Sequence, residues 1–392
     1  MSEPLHPETS CARPAEPVRS ASAPLVPPLV LSAVYEVGGL DDVDALYDRK
    51  AAGFVYARDG HPNAAQLAAK VAGIEGAEAG FIGASGMAAE SAALLSLLDG
   101  GGHVALSGGL YGKTVTLVAK ELSRFGVSHS TFDATRPDDL RRVLNGSTRA
   151  VFVETLSNPL LRVADIPGLA EVCRTTGVPL IVDHTFAPLL CRPIALGADL
   201  VVHSLTKYIA GHSDVTLGFL GGTTERIERA ASVGSTFGLS GNPFDCWLAL
   251  RGLATLGLRM PRSCANALAL ADRMTGHRAV RAVHYPGLPR HPDHARAVRM
   301  LSGGFGAIVT IDVGGRKEAE VFIKSLEHIP YAPSLGDVST TLSHPATTSH
   351  RFQTSAQWAS QGITPGTVRL SIGVEHPDDL WEDVRRALDA LP

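Results

Sequence analysis

The sequence predicts an α/β fold: a mostly parallel sheet covered on both faces, followed by a smaller α/β unit. Two observations carry this. Short, largely apolar runs recur at 103–106, 150–153, 178–182, 199–202 and 217–220, with stretches of helical spacing between several of them. The runs are continuous rather than alternating, which marks strands buried on both faces.

Residues 1–24 are rich in Pro, Ser, Ala and Glu and read as a flexible lead-in. They lack the apolar segment of a secretory signal. Residues 24–35 are apolar but broken by prolines, an extended arm. A polar turn at 56–63 leads into a helix over 64–75, where Leu67, Val71 and Ile74 recur at helical spacing. An apolar segment then passes through Ser85-Gly86-Met87 into an Ala/Leu-rich helix ending near 99–100. Small residues at a helix start leave its first N–H groups open to an anion, although Ser85 serves equally as a simple N-cap.

The strand at 103–106 is followed by a helix within 111–126. The strand at 150–153 closes on Glu154, with Asn158-Pro159 beyond it. A helix over 165–176 starts through Pro167 and stops at Gly177. Strands at 178–182 and 199–202 run up to Asp183 and Ser204. Residues 243–273 read as one or two long helices leading to the second unit, which begins with the strand 305–313. It continues with a helix over 317–326, the strand 368–373 and a terminal helix from 378. The expected organisation is a tail (1–24), an arm (25–60), a large domain (61–250) and a small domain (251–392).

Apolar residues make up 45% of the 392 and charged residues 19%, which is ordinary for a globular chain. Net charge is −4 and no Lys/Arg cluster stands out, against a nucleic-acid binder. No apolar run is long enough to span a bilayer. The five cysteines include no C-x-x-C pair, which fits a reducing, cytoplasmic setting.

In parallel sheets ligands sit at the carboxyl ends of the strands. Glu154, Asn158, Asp183, Ser204 and Lys207 all lie just past those ends in this reading. A lysine, a carboxylate and two hydroxyls there (Ser204, Thr206) suit pyridoxal phosphate (PLP). The lysine bonds the aldehyde, the aspartate faces the ring nitrogen and the hydroxyls hold the phosphate. Tyr56 and Arg58 alone read as a solvated loop pair. Arg369 inside an alternating strand is a structural ion-pair partner or a carboxylate clamp. A zinc hydrolase built on Asp183, His184, His203 and His212 is a rival, but their spacing matches no compact zinc motif. A scaffold protein that lost turnover is another.

The succession Tyr56-x-Arg58, Ser85-Gly86-Met87, Tyr111-Gly-x-Thr114, Glu154-Thr-x-x-Asn158-Pro, Val182-Asp183-x-Thr185-Phe186, His203-Ser204-x-Thr206-Lys207-Tyr208 and Arg369-Leu-Ser resembles the Cys/Met-metabolism (trans-sulfuration) family of PLP enzymes. The resemblance covers about 25–390 and implies a fold type I, aspartate-aminotransferase-like architecture with a seven-stranded central sheet. It implies that Lys207 carries the cofactor covalently and then moves protons, that Asp183 keeps the ring nitrogen protonated, and that Tyr111 stacks on the ring. Ser85, Gly86, Met87, Ser204 and Thr206 would hold the phosphate, with Glu154, Asn158 and Thr185 around the ring. Arg369 and Ser334 would take the substrate carboxylate. Tyr56 and Arg58 would reach the phosphate of a neighbouring subunit, making the active sites dimeric and the assembly a homotetramer.

The chain also departs from that pattern. His184 stands where asparagine is usual, Lys113 where a small residue or cysteine is usual, and Ala57 where serine is. Residues 332–337 lack the glutamate common in members that handle cystathionine. Lys113 is either a ligand for a second anionic group of the substrate or a surface lysine. The implied activity is C–S bond cleavage at the γ (or β) carbon of a sulfur amino acid, with γ-replacement on an O-activated homoserine as the alternative.

Overall fold

The computed structural model describes residues 21–98, 100–351 and 353–392. Most of the expected tail, with Cys11, lies outside the described residues.

Seven strands form the large sheet: β1 (Ala79–Gly83), β2 (Gly102–Ser107), β3 (Val127–Phe132), β4 (Thr148–Glu154), β5 (Leu180–Asp183), β6 (Leu200–Ser204) and β7 (Gly218–Gly222). Their order is β1-β7-β6-β5-β4-β2-β3, and β7 alone runs against its neighbours. Alternate residues feed two opposite cores. Phe152, Ile181 and Val202 pack with Ala89, Ala93 and Leu94 of the helix Gly86–Leu97. Val151, Val153 and Val182 pack with Ile166, Leu169 and Val172 of the helix Ile166–Thr176. Burial on both faces is why these runs are continuously apolar. Each fully buried Val, Leu or Phe contributes about 1.5–3 kcal/mol.

The second sheet is antiparallel, in the order β10 (Thr341–Ser343), β11 (Thr367–Ser371), β9 (Ile308–Asp312), β8 (Ala282–His284). The helices Arg316–Ser325 and Pro377–Asp389 and the carboxyl half of Leu256–Thr275 enclose its core around Tyr285, Phe322, Val368 and Leu370.

Several expectations need correction. The helix expected within 111–126 is an α turn (Gly112–Thr116) continued by a π turn (Leu117–Glu121) and a 3-10 turn (Leu122–Phe125). The helix expected to reach 99–100 ends at Leu97. Glu154, Asp183 and Ser204 are the last residues of their strands rather than residues beyond them. Residues 24–35 carry no helix, as expected, while Leu40–Tyr47 further along the arm is helical. No described helix is long and apolar enough to cross a membrane.

Candidate active site

The carboxyl ends of β4, β5 and β6 open onto a cavity of about 560 Å³. Lys207, Asp183, Tyr111, Ser85, Gly86 and Met87 line it, as do Glu154, Asn158, Thr185, Ser204, Thr206, Lys113, Ser334 and Arg369. Residues that are distant in the chain therefore meet in one place.

Ser85 caps the helix Gly86–Leu97, its Oγ accepting from the Ala88 N–H at 3.0 Å. A Cβ on Gly86 would lie 3.0 Å from the Ser204 Cβ, so the helix start and the end of β6 form a tight cup. Thr185 ties that cup to β5: its Oγ1 accepts from the Ser204 N–H at 2.8 Å. The Thr206 hydroxyl bonds backbone, accepting from the Leu217 N–H at 3.1 Å.

Asp183 accepts from the Thr185 N–H at 2.8 Å. Burial pushes its carboxyl up, while Thr185 and His203 pull against that shift. Glu154 accepts from the Tyr111 N–H at 2.7 Å, and burial, then Asp183, raises it well above the carboxylate range. Burial and the nearby Glu90 raise the Tyr111 phenol, so it keeps its proton at neutral pH.

The Lys207 Nζ lies 3.1 Å from the Ser334 Oγ. Burial and then Arg369 lower its pKa, favouring the neutral amine. The segment carrying Ser334 is pressed onto the lysine: a Cβ on Gly336 would lie 2.5 Å from the Tyr208 nitrogen, and Gly336 has φ +79°. The Arg369 guanidinium donates to Asn158 Oδ1 at 2.9 Å and to the Ser334 carbonyl at 3.2 Å, leaving Nε without a partner. Burial lowers its pKa to about 10. The Phe186 ring lies 6.0 Å from its centre.

Tyr56 and Arg58 stand apart. Arg58 lies over the Tyr56 ring at 5.3 Å, and neither lines the cavity of its own chain. His184 is buried and not at the site. Its Nδ1 faces the Thr155 Oγ1 at 2.8 Å, and burial lowers it to about 4. His203 pairs with Glu75 at 2.9 Å, and His212 faces the Ala210 carbonyl. Among the described residues no group of three or more His, Cys, Asp or Glu is placed to hold a metal ion.

Sequence reasoning missed Glu90, Phe186 and His350 as lining residues. Glu90 carries a usable signal, because it is the only charge in Gly-Met-Ala-Ala-Glu-Ser-Ala-Ala-Leu-Leu-Ser-Leu. Phe186 belongs to the Val182–Phe186 motif. His350 sits in an irregular segment with no periodic pattern.

The donor set is able to hold a small phosphorylated aromatic aldehyde. It offers a buried amine for the aldehyde, an acid for a ring nitrogen and an open helix N-terminus for the anion. The unpartnered Arg369 Nε and the unpartnered carboxyl oxygen of Glu154 are spare polar capacity that such a group would use.

Comparison with known proteins agrees. The Cys/Met metabolism PLP-dependent enzyme family matches residues 8–389. Cystathionine gamma-lyase of Bacillus subtilis (strain 168) is 37% identical over 342 residues, covering 86% of this chain and 89% of that one. O-succinylhomoserine sulfhydrylase of Pseudomonas aeruginosa is 39% identical over 355 residues, covering 89% and 87%. The crystal structure of cystathionine gamma synthase from Xanthomonas oryzae pv. oryzae, in complex with aminoacrylate and cysteine, superposes with a TM-score of 0.89 at 35% identity over 95% of each chain. A match across nearly the whole chain, on a cavity with this lysine, aspartate and arginine, leads to one conclusion: the chain belongs to the Cys/Met metabolism family of PLP-dependent enzymes.

Proposed function

We propose that the chain is a carbon–sulfur lyase that removes a thiol from the γ (or β) carbon of a sulfur amino acid. The observation that carries this is Lys207 Nζ against Ser334 Oγ in the same cavity as the Arg369 fork. A proton-moving amine and a carboxylate clamp together define an amino-acid site.

When bound, PLP supplies an electron sink for charge formed at the α-carbon. Lys207 would hold the cofactor, and its freed amine would take the α-proton and return it at a neighbouring carbon. Asp183 pairs with the ring nitrogen as a carboxylate. Ser85, Gly86, Met87, Ser204 and Thr206 cradle the phosphate, and Glu154, Asn158 and Thr185 set the ring's walls. Arg369, oriented by Asn158 and Ser334, takes the α-carboxylate and fixes the α-carbon near Nζ. Tyr111 stacks on the ring and keeps a proton to give to the leaving sulfur. Lys113, at the rim, meets a second anionic group of the substrate.

Replacement is the second reading. It is supported by the fit to a γ-synthase structure and by the identity to a sulfhydrylase. Product identification decides between the two. Keto acid release from methionine, homocysteine, cystathionine or cysteine supports cleavage, whereas sulfide incorporation into O-acetylhomoserine alone overturns it.

We infer that the arm at 25–60 seats on a second copy, whose Tyr56 and Arg58 complete the phosphate cup, and that two such dimers pair. Support comes from the exposed Leu25, Val26, Leu31, Val34 and Leu40 and from Tyr56 and Arg58 not lining the cavity of their own chain. The free thiols of Cys173, Cys191, Cys246 and Cys264 support a cytoplasmic setting. The division into a large domain to about 250 and a small one beyond it follows the two sheets.

A further inference from the structure

Glu90 sits one turn into the helix Gly86–Leu97, among the buried Ala88, Ala89, Ala92, Ala93 and Leu94. It is 3% exposed, lines the cavity and leaves Oε2 without a hydrogen-bond partner. A buried carboxyl with a spare oxygen costs stability unless the site uses it. Nothing in the roles above does so.

Its surroundings limit what it can be. Asp183 reaches the cavity from β5, Glu154 from β4, and Tyr111 from the segment after β2. The cations inside are Lys207 and Arg369, with Lys113 at the rim. Asp183 acts electrostatically on Glu90, and Glu90 acts on Glu154 and Tyr111, so the three carboxyls form one cluster. Three such groups beside an anionic phosphate do not all ionise. Asp183 has the best claim on the charge, because it faces the ring nitrogen in the proposed site and its carboxylate accepts the Thr185 N–H. Glu154 is engaged by the Tyr111 N–H. Glu90 keeps one oxygen without a partner and has an acid, Asp183, as its charged neighbour; the Thr114 hydroxyl beside it pulls the other way, but less than burial and Asp183 push.

We propose that Glu90 is a positioning residue that stays a neutral acid in the holoenzyme, standing beside Asp183 so that Asp183 is the single charged carboxylate at that end of the cofactor site. Its O–H is a donor inside the cavity, and its neutrality spares the phosphate a further negative neighbour. The proposal rests on the reading that this cavity holds PLP.

The test compares the native holoenzyme with Glu90→Gln and Glu90→Leu. It reads cofactor retained after dialysis, the thermal midpoint of the holoenzyme, and the pH dependence of its visible absorption. Glutamine keeps a neutral donor of the same size, so it should match the native protein within about twofold in cofactor loss and leave the pH profile in place. Leucine fills the space without a donor and should speed cofactor loss about tenfold, the effect of one hydrogen bond. If glutamine fares as badly as leucine, the charged form is required and the proposal falls. If leucine equals the native protein in all three readouts, Glu90 is mere filling and the proposal also falls. A native protein that takes up no cofactor overturns instead the PLP reading beneath it.

Discussion

The Nη1 of Arg369 donates to the Oδ1 of Asn158 at 2.9 Å, joining β11 of the small sheet to the loop that leaves β4 of the large one. Arg369, the proposed carboxylate clamp, is thus aimed by a residue 211 positions away. Replacing Arg369 by lysine keeps the charge but removes the fork and leaves Asn158 without its donor. Loss of one hydrogen bond to a charged group, worth about 1.5–3 kcal/mol, predicts a KM for the amino acid raised about 10–100-fold. Steady-state kinetics of Arg369→Lys check this, and an unchanged KM would place the carboxylate elsewhere.

Gly336 offers a second test away from the reacting atoms. Its φ is +79°, and an added Cβ would stand only 2.5 Å from the Tyr208 nitrogen, which leaves no room for a side chain. Gly336→Ala should cost about 1–3 kcal/mol of stability. It should also lower turnover, because the shift moves Ser334 off Lys207. Thermal unfolding and kinetics of this variant read the two effects separately.

Much of this arrangement was legible in the sequence, for identifiable reasons. Continuous apolar runs marked β2, β4, β5 and β6, and the chemistry at their ends marked Asp183 and Lys207. β3 escaped because Val-Ser-His-Ser-Thr-Phe lies at the edge of the sheet with several residues exposed, so it lacks the buried apolar run. β8 and β10 are three residues each, too short to show a period. The reversed direction of β7 leaves no mark in an apolar run. Glu90 was hidden by its helix, whose other residues average to a plain buried segment. That Tyr56 and Arg58 miss their own cavity is a matter of tertiary placement, which spacing along the chain does not encode.

The cofactor-free protein should lose stability as pH rises. Burial and Asp183 push the Glu90 carboxyl up to about 8, against an ordinary value of 4.5. The native state therefore holds that proton more tightly than the unfolded chain. The stability this contributes is complete below the ordinary carboxylate range and is lost as pH climbs through about 8. Glu154 and Asp183 shift in the same direction. Thermal midpoints of the apoprotein between pH 5 and 9 should fall with pH, and Glu90→Gln should flatten the slope. Equal slopes in both proteins would show that Glu90 ionises normally.

Shared sites predict subunit complementation. Arg58→Ala should weaken cofactor retention, and Lys207→Ala should be inactive. If Arg58 serves the neighbouring cavity, mixing the two variants creates hybrid dimers with one intact site, and activity should reappear to about a quarter of the native level, the share expected when hybrids form half of a random mixture. Mixtures no more active than their components would show that each chain builds its own site.

Everything proposed for the site turns on Lys207 as the residue that carries the cofactor. Borohydride reduction of the holoenzyme followed by peptide mass mapping tests it most directly. The holoenzyme should absorb visible light, bleach on reduction and carry the pyridoxyl label on Lys207, with neither band nor label in Lys207→Ala. A label on another lysine, or a purified protein that stays colourless after cofactor is added, would contradict it.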